Sequence, residues 1–197
     1  AFADVVFHND GVLAQYAGDA MEAFWNAPMH QPDHARRACE TALDMVAALE
    51  RLPPVFPARG CPHLDLGVGV NTGQMVVGNM GSKDRLIYTA VGDPVNVAAR
   101  LEGLSKEYGV HVVVGEATVA AAPEAFVYRF LDLVAVKGRA EPLRCYEVMA
   151  RAGALAPAAR ERLARYQEAI DRYRSRRWED ALRLLEALDR EMPGDGP

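Results

Sequence analysis

The hydrophobic and polar positions of the chain change period several times, and these changes predict strands interleaved with helices. Residues 12–16 and 20–25 predict two short strands around a tight Ala17-Gly18-Asp19 turn. From Pro32-Asp33 onward, apolar residues recur at helical spacing and predict a long amphipathic helix. Partial alternation over residues 63–71 predicts a half-buried strand, and residues 74–77 are expected to form its partner strand.

The second half of the chain continues the same interleaving. Asp93 and Pro94 are expected to supply the N-cap and first position of a helix that carries an apolar stripe. A buried strand over residues 110–114 follows, and residues 126–137 and 143–150 predict a closing strand pair. These elements indicate an α+β fold over residues 1–152.

Residues 153–197 are predicted to form a separate C-terminal helical hairpin, with helices over residues 159–174 and 178–191. The residues around Tyr173 and Trp178 resemble one tetratricopeptide-like unit. Such a unit by itself buries little apolar surface and usually needs neighbours. Two interpretations stay open: the hairpin packs on its own domain, or it binds a protein partner.

Composition narrows the class of function. The chain of 197 residues has a formal net charge of −5, which gives no support to binding of nucleic acid. Its three cysteines are far apart, so a reducing cytoplasm is expected, with neither a disulfide framework nor a cysteine metal site. No apolar run approaches the roughly 18–20 residues of a membrane span.

Three groups of residues are candidates for chemistry. Asp19, in the glycine turn between two strands, presents a carboxylate of the kind that Mg²⁺ prefers, although most such turns are purely structural. Asn96 and Arg100 lie four residues apart and so share one helix face, where an amide and a guanidinium suit a phosphate ligand; a solvated helix face is the equally weighted alternative. Lys137 begins a basic turn and could hold a terminal phosphate.

The order of these groups resembles the class III adenylate/guanylate cyclase catalytic domain. Gly18-Asp19 is followed by Asn71-Thr72-Gly73, then by the segment from Tyr88 to Glu102, and then by Val136-Lys137-Gly138 before a Tyr-Glu-Val strand. The resemblance covers about residues 3–148. It implies a ferredoxin-like fold, in which a central, mostly antiparallel sheet is flanked by helices, and a head-to-tail homodimer with two active sites between the subunits.

The resemblance also implies roles for individual residues. Asp19 is expected to hold two catalytic Mg²⁺ or Mn²⁺ ions, together with a second carboxylate. Asn96 would orient the ribose and Arg100 would stabilise charge at the reacting phosphate, both in the partner's site, while Lys137 would bind the terminal phosphates. The expected reaction converts ATP into 3′,5′-cyclic AMP and pyrophosphate for signal transduction.

Two departures from the family pattern qualify this prediction. The family's first metal Asp stands on an opening strand, whereas Asp4 is expected on the surface of a helix, so the first strand is predicted to be missing from this chain. A fragment lacking it is expected to have little turnover. The domain is expected in the cytoplasm, and membrane attachment through upstream segments is left open.

The second departure concerns the base. Gln15 takes the place of the family's purine-selecting Lys, and Thr89 the place of its partner residue, with no guanine-selecting Glu. A Gln amide can donate to adenine or accept from guanine, so ATP is favoured with less discrimination than a Lys would give. The alternatives are a guanylate cyclase and a non-catalytic cyclase-like module that binds nucleotide or dimerises.

Overall fold

The computed structural model describes residues 2–51, 64–135 and 141–197, and within them the predicted α+β class is confirmed. The helices are α1 (Phe2–His8), α2 (His34–Glu50), α3 (Asp93–Glu107), α4 (Glu116–Ala121), α5 (Pro157–Arg174) and α6 (Trp178–Glu191). The strands are β1 (Val12–Ala17), β2 (Ala20–Phe24), β3 (Val68–Val70), β4 (Val76–Gly81), β5 (Leu86–Val91), β6 (Val112–Gly115), β7 (Phe126–Val134) and β8 (Leu143–Arg151).

The β1–β2 hairpin forms where the sequence predicts it. Ala17 pairs with Ala20, so Gly18 and Asp19 alone make the turn. Gly18 has φ +67°, a left-handed conformation that glycine adopts without steric cost. The hairpin packs against β5, where the rings of Phe24 and Tyr88 lie 5.8 Å apart.

A four-stranded sheet in the order β3-β6-β8-β7 forms the centre of the domain. Strands β3 and β6 are parallel, whereas β8 is antiparallel to both β6 and β7. The predicted pairing of residues 74–77 with the strand before them is wrong. Those residues lead into β4, which pairs with β5 in a separate antiparallel hairpin, and β3 takes β6 as its partner.

Helices cover both faces of the sheet. Successive side chains of a strand point to opposite faces, so apolar residues on both faces need a packing layer on each side. On one face, α2 contributes Ala35, Cys39 and Ala42 to a cluster with Val112 and Val114. On the other face, α3 packs into a second cluster, and the α3 side chains in this cluster are fully buried. That cluster comprises Val97, Leu101, Val110, Val113, Leu131, Leu143 and Cys145.

Several local predictions need correction. Helix α3 begins at Asp93 with Gly92 as its N-cap, one residue earlier than predicted, so Pro94 is not its first residue. Such one-residue differences are ordinary at helix ends. Strand β5 and the short helix α4 were not predicted. Lys137 lies outside the described residues, as does the whole proline-rich stretch after α2, residues 53–62.

The C-terminal hairpin consists of α5 and α6, as predicted. Tyr173 and Trp178 meet edge to face with ring centroids 5.0 Å apart across the turn. The hairpin is attached to the sheet by Tyr166, whose hydroxyl donates to the backbone carbonyl of Phe130 at 3.0 Å. A role in binding a protein partner stays a prediction. No helix in the described part of the chain is long and apolar enough to cross a membrane.

Candidate active site

Asp19 lies at the tip of the β1–β2 hairpin and is exposed to solvent. Its position follows from the two-residue turn, which leaves the carboxylate outside the strand pairing. An exposed carboxylate is available to a hydrated Mg²⁺, which commonly takes one or two protein carboxylates together with phosphate oxygens. Asp19 therefore fits one ligand position of a metal site.

The described residues supply no complete metal cage. Across residues 2–51, 64–135 and 141–197, no group of three or more His, Cys, Asp or Glu side chains stands close enough to hold a metal ion. Asp4 is exposed on α1, which confirms that it is a surface helix residue and not a carboxylate on a strand. Among the described residues, Asp19 is therefore the one candidate metal ligand.

Gln15 and Thr89, the candidate base-selecting residues, are both half-buried. Gln15 lies on β1 and donates from Nε2 to the carboxylate of its cross-strand neighbour Glu22 at 2.8 Å. Thr89 lies on β5 opposite Gly78 of β4. Because β1 contacts β5, the structure brings the strands that carry these two side chains together.

Asn96 and Arg100 stand four residues apart on α3, and both are exposed. The opposite side of the helix is anchored to the sheet by Val97 and Leu101, which are 0% and 1% exposed. A fixed helix thus presents an amide and a guanidinium together at the surface. An Arg there offers a planar set of donors that matches phosphate oxygens.

The candidate residues fall on two separate parts of the fold. Asp19 and Gln15 belong to the β1–β2 hairpin, whereas Asn96 and Arg100 belong to α3, which packs on β3, β5 and β6. Thr89 belongs to β5, which contacts both parts and runs directly into α3 through Gly92.

Asn71 is a residue whose contact the sequence analysis did not anticipate. Its side-chain Nδ2 donates to the backbone carbonyl of Pro94, in the first turn of α3, at 3.2 Å. Gly73 packs against the Pro94 ring from the same segment. The Asn-Thr-Gly motif was visible in the sequence, but the contact joins residues 23 positions apart and needs the tertiary structure.

Comparison with known proteins decides the family of this site. The family model described as the adenylate and guanylate cyclase catalytic domain matches residues 4–150. The chain belongs to this family. The match contains Gln15, Asp19, Thr89, Asn96, Arg100 and Lys137, and so covers every candidate residue.

Individual relatives agree with this assignment. Adenylate cyclase 1 of Rhizobium meliloti (strain 1021) is 43% identical over 148 residues, which are 75% of this chain and 22% of that protein. The terminal-differentiation-specific adenylate cyclase of Dictyostelium discoideum is 32% identical over 192 residues, 95% of this chain and 9% of that protein. The second alignment therefore reaches into the C-terminal hairpin.

A solved structure shows the same fold. The crystal structure of the guanylyl cyclase Cya2 superposes with a TM-score of 0.67 at 30% identity, and the match covers 78% of this chain and 77% of that one. The chain spans less than a quarter of the length of each of these two adenylate cyclases.

Proposed function

We propose that this domain converts ATP into 3′,5′-cyclic AMP and pyrophosphate for signal transduction. The observation that carries the proposal is the exposed Asn96–Arg100 pair on a helix whose other side is buried in the sheet. Similarity to two proteins named adenylate cyclases supports ATP as the substrate. The absence of a guanine-selecting Glu at the Thr89 and Gln15 positions agrees with that choice.

The residues act by positioning the substrate and neutralising its charge. In the reaction, the 3′-hydroxyl oxygen attacks the α-phosphorus. The bond between the α-phosphorus and the oxygen that bridges to the β-phosphate breaks, so pyrophosphate leaves, and the hydroxyl proton passes to solvent. A bound Mg²⁺ or Mn²⁺ ion supplies Lewis-acid stabilisation of the phosphate oxygens. Asp19 contributes a ligand to that ion, Asn96 holds the ribose, and Arg100 donates to the α-phosphate as its negative charge increases.

The division of these residues between two parts of the fold supports a head-to-tail homodimer. Asn96 and Arg100 face away from the sheet on α3, whereas Asp19 lies at the tip of a hairpin that packs on β5. A partner subunit can therefore place its α3 against the Asp19 side of the site. Each of the two active sites would then use residues from both subunits.

The direct test is a metal-dependent assay of the full-length protein with ATP. Asn96→Ala and Arg100→Ala are each expected to lower kcat on the order of 10²–10³-fold, since each removes a group that binds developing charge or orients the substrate. The assignment is wrong if both variants keep wild-type turnover.

Two alternatives remain candidates for specific reasons. A guanylate cyclase is favoured by the similarity to the guanylyl cyclase Cya2 and by the ability of a Gln amide to accept from guanine. A non-catalytic nucleotide-binding or dimerisation module is favoured because Asp19 is the one candidate metal ligand among the described residues, where no group of three or more possible ligands occurs. Turnover of GTP above ATP would select the first, and nucleotide binding without turnover the second.

A further inference from the structure

A row of small residues runs through β3 and the residues on either side of it, and this row faces α3. Gly67, Gly69, Asn71 and Gly73 are spaced two apart, so in an extended segment they share one side. The residues between them face the other way. Val68 and Val70 pack on the cluster that contains α2, and the Thr72 hydroxyl lies 3.0 Å from that of Thr118 on α4.

The glycines in this row let α3 approach the strand more closely than any side chain would allow. A Cβ at Gly69 would lie 2.1 Å from the carbonyl oxygen of Ala98 and 2.3 Å from the backbone nitrogen of Glu102. Non-bonded carbon contacts are ordinarily about 3.5–4.0 Å, so an added methyl would have to push the α3 backbone outward by about 1 Å or more.

The same close approach continues at both ends of the row. A Cβ at Gly67 would lie 2.2 Å from the Ser105 hydroxyl oxygen, and one at Gly73 would lie 2.5 Å from Cγ of Pro94. Contacts therefore extend from the first turn of α3 to its last. The row therefore contacts α3 along nearly its whole length.

Asn71 is the member of the row that binds α3 through its side chain. While its Nδ2 donates to the Pro94 carbonyl, its Oδ1 faces Gly115 at the end of β6, where a Cβ would come within 2.6 Å of that oxygen. The amide is thus held between the sheet and the first turn of the helix. This contact fixes α3 lengthwise, because Pro94 cannot slide along the strand without losing it.

The face of α3 that carries Asn96 and Arg100 lies opposite the face that contacts this row. At about 100° per residue, Asn96 and Arg100 are each about 160° around the helix from Ala98, the residue in closest contact with Gly69. A helix is stiff over this length, so a displacement at Ala98 moves both side chains with it.

We propose that Gly67, Gly69, Asn71 and Gly73 are positioning residues for the reaction, which set the height and lengthwise position of α3 and hence of Asn96 and Arg100. The inference rests on the proposed function, since it concerns the placement of the residues that act there. None of the four is proposed to touch the substrate.

The main test is Gly69→Ala in the full-length protein, with kcat and KM for ATP measured beside thermal unfolding. A displacement of about 1 Å is expected to lower kcat on the order of 100-fold with a smaller change in KM. Ser175→Thr is the control: it adds one methyl group in the exposed turn between α5 and α6 and should leave kcat unchanged.

A second arm tests whether the loss passes through Asn96 and Arg100. When Gly69→Ala is added to the Asn96→Ala/Arg100→Ala variant, kcat should fall little further, because the two side chains that the displacement would misplace are already absent. Losses that multiply independently would overturn the proposal.

Mixed dimers separate the inference from the proposed function. Asp19→Ala mixed equally with Arg100→Ala should recover about a quarter of wild-type turnover, because half of the dimers are mixed and each has one intact site. If that mixture recovers no turnover, the proposal that each active site uses residues from both subunits is wrong. Gly69→Ala should recover turnover with Asp19→Ala but not with Arg100→Ala; the reverse pattern, or no recovery with either, overturns the positioning role.

If Gly69→Ala does not fold, Asn71→Ala takes its place in the same mixtures. It removes one hydrogen bond and adds no bulk, so roughly a tenfold loss of kcat is expected with the fold retained. Wild-type kcat in Asn71→Ala would contradict the proposal.

Discussion

Gln15 on β1 and Glu22 on β2 are cross-strand neighbours, and the amide Nε2 of Gln15 donates to the Glu22 carboxylate at 2.8 Å. A carboxylate accepts hydrogen bonds but does not donate them, so this contact directs Nε2 of Gln15, and not Oε1, toward Glu22. The amide nitrogen carries two hydrogens, so a Gln15 held by Glu22 keeps one to donate to adenine, whereas a Gln that is free to rotate can also turn its oxygen to accept from guanine.

Glu22→Ala is therefore expected to reduce base selectivity. The ratio of kcat/KM for ATP to that for GTP should move toward one by about tenfold, which corresponds to the loss of one hydrogen bond to a charged group. Glu124→Ala, at an exposed glutamate outside the β1–β2 hairpin, should leave the ratio unchanged. An unaltered ratio in Glu22→Ala would show that Gln15 does not select the base.

Asp19→Asn tests the metal assignment. The variant keeps the size of the side chain but removes its charge, so metal-dependent kcat should fall on the order of 100-fold, because a bound ion supplies several kcal/mol of charge stabilisation. Asp84→Asn, in the exposed turn between β4 and β5, is the control. Titration of Mg²⁺ checks the result: an unchanged half-activating concentration in Asp19→Asn would contradict the assignment. Chelation of divalent ions should abolish turnover in the wild type.

Arg129 on β7 forms a buried ionic contact between the sheet and the C-terminal segment. It is 5% exposed, donates to Glu147 at 2.7 Å and holds Asp195 through two bonds of 2.6 and 2.9 Å. Arg129→Ala leaves the Glu147 carboxylate buried without its cation, so the free energy of unfolding should fall by about 3–5 kcal/mol. Denaturant unfolding measures this loss.

Two comparisons sharpen that stability prediction. Arg144→Ala removes an exposed arginine from the neighbouring strand β8 and should change stability by no more than about 0.5 kcal/mol. Arg129→Met/Glu147→Leu replaces both charges with apolar groups and should recover much of the loss. A double variant as unstable as Arg129→Ala would mean that the ion pair itself, and not the unpaired charge, determines the effect.

Cys39 and Cys145 should resist alkylation in the native protein. Burial raises the pKa of the Cys39 thiol to about 12 and that of Cys145 to about 11, and both side chains are 0% exposed. Because the thiolate is the reactive form, labelling at pH 8 should be at least about 100-fold slower than in urea-unfolded protein. Mass spectrometry of the labelled peptides measures both rates, and rapid native labelling of either cysteine would contradict the core packing.

Local patterns in the sequence were sufficient for several elements. The Ala17-Gly18-Asp19 turn, the apolar stripe of α3 and the two helices of the hairpin form as predicted. Each depends on residues within one or two turns of chain, where period and turn chemistry act directly. The family resemblance, which the family model confirms, rests on short motifs of the same kind.

Strand pairing was the part that local patterns got wrong. Residues 74–77 follow a predicted strand after a Thr-Gly turn and so indicated a hairpin with it. In the structure, β3 instead pairs in parallel with β6, more than 40 residues later, and β4 pairs with β5. Pairing depends on which distant strand buries the same face, and a periodic pattern does not contain that information.

The sequence by itself determined the family, the shared helix face of Asn96 and Arg100, and the turn that holds Asp19. Only the tertiary structure decided what contacts the row in and around β3 that comprises Gly67, Gly69, Asn71 and Gly73. Glycines spaced two apart are visible in the sequence, but their effect depends on how closely another backbone approaches. Here that backbone is α3, whose Ala98 carbonyl occupies the space that a side chain at Gly69 would need.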